Sequence, residues 1–131
     1  MNEEMNNHQY VLVVDDDEHV LFVLRRALRI LENGYRIEIA RSGEEALQKA
    51  QKRPYHILIT DILMPGMNGV ELTRAIKELY PATTVIWITA HGRERFQSDE
   101  EQLSVYECLE KPIRIDAIRQ AVLRVAESPG I

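Results

Sequence analysis

The sequence predicts a doubly wound α/β domain, with five parallel strands in the order 2-1-3-4-5 and five helices in a three-layer sandwich. Three observations predict it. Short apolar runs alternate with amphipathic stretches from end to end. Three of those runs, YVLVV (10–14), HILIT (56–60) and TVIWIT (84–89), are apolar throughout or nearly so, as strands covered by helices on both faces must be. One run, YRIEIA (35–40), instead alternates polar and apolar residues, which suits a half-exposed edge strand. Parallel neighbours are joined by crossovers, usually helical, so each strand calls for a helix after it.

The elements follow in order. After YVLVV, residues 18–32 place Val20, Leu21, Val23, Leu24, Ala27, Leu28 and Leu31 at helical spacing, and Asn33-Gly34 supplies a stop. Ser42 with Glu45 three residues on has the form of a capping box, opening a helix through about Lys52 before Pro54. MPGMNG (64–69) is a turn-rich loop in which Asn68 is a candidate N-cap for a helix through Tyr80, ended by Pro81. In 93–103, Phe96 and Leu103 are the only strong apolar residues, predicting a short or mobile helix. VYECL (105–109) is the last strand, and Ile115, Ile118, Val122 and Val125 carry a closing helix over 114–127.

A chain of 131 residues suits one domain, here 8–127, with a polar tail at 1–7 and a second tail or start of a linker at 128–131. The net charge of −5 argues against a phosphate-backbone binder, so no direct nucleic-acid binding is expected. With a single cysteine, Cys108, no internal disulfide can form, which suits a reducing compartment. The opening MNEEMNNHQY lacks the basic start and apolar stretch of a signal peptide. The longest apolar runs fall far short of the roughly 20 residues that span a bilayer. The expectation is a cytoplasmic protein with no membrane partner.

On the predicted frame the polar residues converge. Asp15, Asp16 and Asp17 follow the first strand, Asp61 follows HILIT, Thr89 closes TVIWIT and Lys111 lies two residues past VYECL. All stand at carboxyl ends of strands, where open α/β sheets bind ligands. Two carboxylates about 4 Å apart repel by about 4 kcal/mol at an effective dielectric near 20. A divalent cation removes that conflict, and an all-oxygen acidic site suits Mg²⁺. His8, His19, His56 and His91 show no metal-ligand spacing. Lys111 and Thr89 add a cation and a hydroxyl, completing a cage for the oxygens of a phosphoryl group. Asp61 is then the nucleophile, because carboxylates accept phosphoryl groups as aspartyl phosphates. Taken singly, each residue has a plainer reading: Asp17 and Glu18 favour a helix start, Thr89 a satisfied strand end, Lys111 the surface.

Four motifs, VLVVDDDE, LITDILMPGMNG, VIWITAHG and LEKPI, stand in an order and spacing that resembles the receiver domains of two-component response regulators, over essentially all of 8–127. The resemblance implies the flavodoxin-like fold of chemotaxis-type regulators. It implies that Asp61 accepts a phosphoryl group from a phosphohistidine on a sensor histidine kinase or phosphotransfer protein, with Mg²⁺ as cofactor. Asp16 would be the direct metal ligand, Asp15 would act mainly through water, and the Leu63 backbone carbonyl would be a further ligand. Thr89 and Lys111 would contact the phosphoryl oxygens and couple the site to the following loop. Pro112 matches a proline whose peptide bond is often cis. Leu63 and His91 fall where the family tunes phosphoryl lifetime. The implied output is a shift of the surface made by the fourth helix, fifth strand and fifth helix toward an unspecified downstream effector. The domain would stand alone or form part of a longer regulator or hybrid kinase.

The sequence departs from that pattern at the switch position three residues before the lysine, where Cys108 replaces the usual Tyr or Phe. Tyr106 lies two residues away, on the same face by strand alternation. The departure keeps a rival open: an interaction module that works without phosphorylation and retains the pocket as a relic. A true phosphatase is a third reading, disfavoured because a general acid is needed where Leu63 stands. The protein is therefore expected not to be a turnover enzyme on external substrates, although it assists its own phosphorylation and dephosphorylation.

Overall fold

The computed structural model describes residues 9–90 and 92–127. The two predicted tails, His8 and His91 lie outside the described residues. The elements are β1 (Gln9–Val14), α1 (Glu18–Ala27), β2 (Tyr35–Ala40), α2 (Gly43–Ala50), β3 (Ile57–Asp61), α3 (Gly69–Leu79), β4 (Thr84–Thr89), α4 (Gln97–Gln102), β5 (Glu107–Glu110) and α5 (Ile115–Glu127). Two 3₁₀ turns, Leu28–Leu31 and Arg93–Phe96, continue α1 and precede α4. The sheet has the order β2-β1-β3-β4-β5, parallel throughout, as the strand patterning predicts.

Alternation along each strand divides the core into two layers. Leu12, Val14, Leu58, Val85 and Trp87 point toward α2 and α3, meeting Ala46, Ala50, Leu72 and Ile76. Val11, Val13, Ile57, Ile59, Ile86 and Ile88 point the other way, meeting Leu21, Leu24 and Ala27 of α1 and Ile118, Ala121 and Val122 of α5. All of these are fully buried or nearly so. A buried side chain of this size contributes roughly 1.5–3 kcal/mol relative to exposure, so the central strands are the most strongly held part of the sheet. Trp87 places its indole N–H on Thr73 Oγ1 at 2.9 Å, and the Thr73 hydroxyl donates to the Gly69 carbonyl at 2.7 Å. A polar chain thus crosses the layer with both hydroxyl and indole satisfied.

Two local expectations come out differently. Ser42 caps α2 by accepting the Glu45 N–H at 3.0 Å, but Glu45 returns to the Arg41 N–H at 2.8 Å rather than to Ser42, so the box is displaced by one residue. The reciprocal box forms instead on α3, where Asn68 accepts the Glu71 N–H at 2.9 Å and Glu71 accepts the Asn68 N–H at 3.0 Å. The last strand runs over Glu107–Glu110, two residues later than its start in the sequence reading, because Tyr106 enters it through a single bond from its N–H to the Val85 carbonyl at 2.8 Å. The α4 helix is short, as expected, and no residue of it is buried.

Candidate functional site

The carboxyl ends of β1, β3, β4 and β5 bring the predicted residues together. Asp15 continues the ladder past β1, its N–H donating to the Ala40 carbonyl at 3.2 Å, and it is fully buried. The next turn is fixed by its acids: the Asp17 N–H donates to Asp15 Oδ1 at 2.9 Å, and Asp17 Oδ1 accepts the His19 N–H at 2.8 Å as the N-cap of α1. Asp16 is left exposed between them. Glu18 pairs with Arg41. The acidic run therefore divides, two residues toward the pocket and two toward the helix.

Asp61 is the last residue of β3, opposite Ile88, and is 5% exposed. Thr89 is the next residue of β4 and is fully buried. Its carbonyl accepts the Lys111 N–H at 2.8 Å, which carries the β4–β5 pairing one step past β5 and sets the lysine at the rim. Lys111 Nζ then lies 3.1 Å from Asp61 Oδ2 and 3.2 Å from Asp15 Oδ2. The first contact is a hydrogen bond. The second is an ion pair without hydrogen-bond alignment, so Asp15 Oδ2 is buried with no hydrogen-bond donor. The Leu63 N–H reaches Asp61 Oδ1 at 3.3 Å, while its side chain is 40% exposed. The Lys111–Pro112 peptide is cis, as the resemblance implies.

Electrostatically the pocket is under-compensated. Burial raises the Asp61 pKa, against the hydrogen bond and charge of Lys111. Burial likewise raises Asp15, against the Asp17 N–H bond. Burial pulls the Lys111 ammonium down, but the Asp15 and Asp61 carboxylates outweigh it and its pKa ends up raised. Three carboxylates against one ammonium leave two formal negative charges, which one divalent cation cancels. One carboxylate oxygen from each of Asp15, Asp16 and Asp61 lies within 4.8 Å of the others. Opposite ligands of an octahedral Mg²⁺ stand about 4 Å apart, and all three donors are hard oxygens. With a buried oxygen on Asp15 lacking a donor, the residues fit such an ion.

Several supporting residues were silent in the sequence. Gly69 packs on the backbone of the acceptor strand: a Cβ there would lie 2.2 Å from the Asp61 carbonyl oxygen and 2.8 Å from Ile62 Cα. Gly66 adopts φ +72°, and the Met67 N–H donates to Glu44 Oε2 at 3.1 Å, tying the loop after Asp61 to the start of α2. The MPGMNG loop thus positions the acceptor and holds no charge toward it. Cys108 is buried in the α2–α3 layer, its thiol pushed up to about 11 by burial, whereas Tyr106 is 44% exposed ahead of the strand.

Fold and pocket together define a class: an α/β module whose parallel sheet gathers an acid trio, a buried threonine and a bridging lysine at one edge. The family model described as response regulator receiver domain matches residues 11–123, and the chain belongs to that family. It is 34% identical over 113 residues to the transcriptional regulatory protein GlrR of Escherichia coli K12, covering 86% of this chain and 25% of that protein. It is 33% identical over 122 residues to ResD of Bacillus subtilis 168, covering 93% and 48%. The chain therefore spans a quarter to about half of these curated relatives. The REC domain of AraT from Geobacillus stearothermophilus superposes with a TM-score of 0.83 at 28% identity, over 92% of this chain and 94% of that one. The chemotaxis response regulator CheY4 of Vibrio cholerae gives 0.78 at 28% identity, over 90% and 98%. Among the described residues no helix is long and apolar enough to cross a membrane.

Proposed function

We propose that the domain is a phosphorylation-controlled signalling module in which Asp61 takes a phosphoryl group from a phosphohistidine of a sensor histidine kinase or phosphotransfer protein. The single observation that carries this reading is the Lys111 bridge, at 3.1 Å from Asp61 and 3.2 Å from Asp15, over a pocket still short of positive charge. Sensor proteins also stand among the relatives, such as EvgS of Escherichia coli K12 at 32% identity over 109 residues.

In the transfer, the P–N bond of the donor breaks as a P–O bond to an Asp61 carboxylate oxygen forms, and the departing imidazole takes up a proton. Lys111 moves from sharing two carboxylates to neutralising phosphoryl oxygens, and Thr89 supplies a hydroxyl donor at the same edge. Asp15, Asp16, Asp61 and the Leu63 carbonyl would hold Mg²⁺, which when bound offsets the charge of acceptor and phosphoryl oxygens together. The modified pocket then shifts the population of conformations at the α4–β5–α5 surface, which an effector reads. The module acts in the cytoplasm and does not turn over external substrates.

The test is intact mass after incubation with Mg²⁺ and acetyl phosphate. A gain of one phosphoryl group that is absent in Asp61→Asn supports the reading. No adduct with any phosphodonor favours the phosphorylation-independent module, and rapid hydrolysis of unrelated phosphoesters favours an enzyme.

A further inference from the structure

The twelve arginines of the chain divide unevenly. Arg41, Arg53, Arg74, Arg93, Arg114 and Arg124 each pair with an acid within 4 Å. Arg95 lies over the Phe96 ring, and Arg119 donates to the Ala27 carbonyl. Like these two, the remaining four, Arg25, Arg26, Arg29 and Arg36, have no ion-pair partner among the described residues, Arg26 lying over the Phe22 ring, but these four stand together along α1, its 3₁₀ extension and β2. In a chain of net charge −5 this is a local excess of like charge, with Glu32 the one acid among them. Basic residues in the last turn of α1 complement its dipole, but Arg36 belongs to a strand and gains nothing from that.

These arginines rim a groove. A cleft of about 310 Å³ is lined by Arg25, Glu32, Tyr35, Arg36 and Ile37. A second, of about 370 Å³, shares Arg25 and Glu32 with it and continues past Arg29, Phe22 and Ile39 to Arg41, whose charge is matched there by Glu18. The floor is apolar: Leu21 is buried, and Ile37 and Ile39 are half-buried where α1 leaves the outermost strand partly uncovered. Phe22, 59% exposed, stands on the helical wall with Arg26 over its ring. The other wall is β2, the terminal strand of the sheet, whose outer edge pairs with no strand among the described residues.

We infer that this groove binds an extended acidic peptide segment of a partner protein. Alternating carboxylate and apolar side chains would meet the arginine rim and the isoleucine floor, and the free edge of β2 offers backbone groups at strand spacing. Charge complementarity selects the acidic character. The strand edge selects a polypeptide over a nucleic acid, because only a polypeptide can use both walls. Charged residues on an edge strand ordinarily discourage pairing; here the unpaired charges are four arginines against the single Glu32, a net positive rim that discourages neutral and basic strands and admits an acidic one. The groove lining contains none of Asp15, Asp61, Thr89 or Lys111, so the inference stands apart from the phosphoryl-acceptor reading.

The experiment is a ¹⁵N-HSQC titration of the full chain with a capped peptide of about eight residues alternating Glu and Val, run beside a Lys-Val peptide and an oligothymidylate. The Glu-Val peptide is expected to shift amides within 18–41, to bind more weakly at high salt, and to lose roughly tenfold or more in affinity in Arg29→Glu/Arg36→Glu. Arg29→Lys/Arg36→Lys, which keeps the charge and leaves the fold less perturbed, is expected to retain most of the binding. Asp61→Asn is expected to bind unchanged. No shifts up to about 1 mM peptide, shifts centred elsewhere, equal binding of the Lys-Val peptide, or stronger binding of the oligothymidylate would each overturn the inference.

Discussion

The pocket and the α4 segment lie a few residues apart in sequence at Thr89 and Arg93, yet they are held by different forces. The pocket is built on strand ends whose neighbours, Val14, Thr60, Ile88 and Thr89, are completely buried, and Gly69 locks its loop against the Asp61 backbone. The α4 helix has no buried residue, and its charged side chains reach the rest of the molecule by two part-exposed ion pairs, Arg74–Asp99 and Arg93–Glu100, each at 3.3 Å. Pairs of that kind contribute about 0–1 kcal/mol. A small chemical event can thereby be read at a distance: the reacting groups sit among the most buried residues, and the readout sits where little energy is needed to rearrange the chain.

Breaking the rigid side should cost most. Gly69→Ala forces a side-chain carbon onto the Asp61 carbonyl and Ile62, and is expected to lower stability to urea by about 3 kcal/mol and to prevent phosphoryl uptake. Next in size, removing the crowded charge should do the reverse. Because burial raises the Asp61 and Asp15 pKa values, the folded state holds their protons more tightly than the unfolded one, so they weaken the fold as pH rises through their folded values. Asp61→Asn is accordingly expected to stabilise the metal-free protein at neutral pH by about 1 kcal/mol in urea melts, with the gain shrinking when Mg²⁺ is added.

The loose side should respond locally. Glu100→Gln or Arg93→Ala is expected to change global stability by about 0.5 kcal/mol or less, while amides of 97–103 exchange faster. Cys108, buried in the layer against which Phe96, Leu103 and Val105 pack and with its thiol pushed up to about 11 by burial, reports the same opening. Its alkylation at neutral pH is expected to be slow and to quicken in either variant. The smallest effect lies at the far end of the sheet. His56 Nδ1 accepts the Tyr10 N–H at 3.1 Å, and burial lowers its pKa. Its contribution is fully present above the unfolded value of about 6.5 and is lost as pH falls below it through the folded value. A shallow loss of thermal stability in that window, absent in His56→Gln, checks it.

The sequence carries the rigid side far better than the loose one. Runs such as VLVV and ILIT announce strands buried on both faces, and acids at their ends follow directly from that placement. The Asp17 cap and the division of DDDE were also readable, since a helix start wants one acid and a metal site two. Lys111 was readable as the pocket's cation, but its bridge between Asp15 and Asp61 was not, because the reach of a long side chain across strands is a tertiary matter. Nor was Gly69, whose role is close backbone approach and which looks like any turn glycine. The Asn68–Glu71 box carried its signal in the Asn-x-x-Glu spacing, while the Ser42–Glu45 spacing marked a cap but not its displacement to Arg41. The arginine groove was invisible because its rim is shared between a helix and a strand, neither unusual alone.

The most direct test of this division between a rigid pocket and a loose α4 is hydrogen exchange of the protein with acetyl phosphate and Mg²⁺, followed in parallel with Asp61→Asn. The expectation is altered exchange at 93–103 on phosphorylation, with 57–61 and 84–88 staying protected and no change in the Asn variant. Uniform change across the sheet, or identical behaviour of the two proteins, would contradict it.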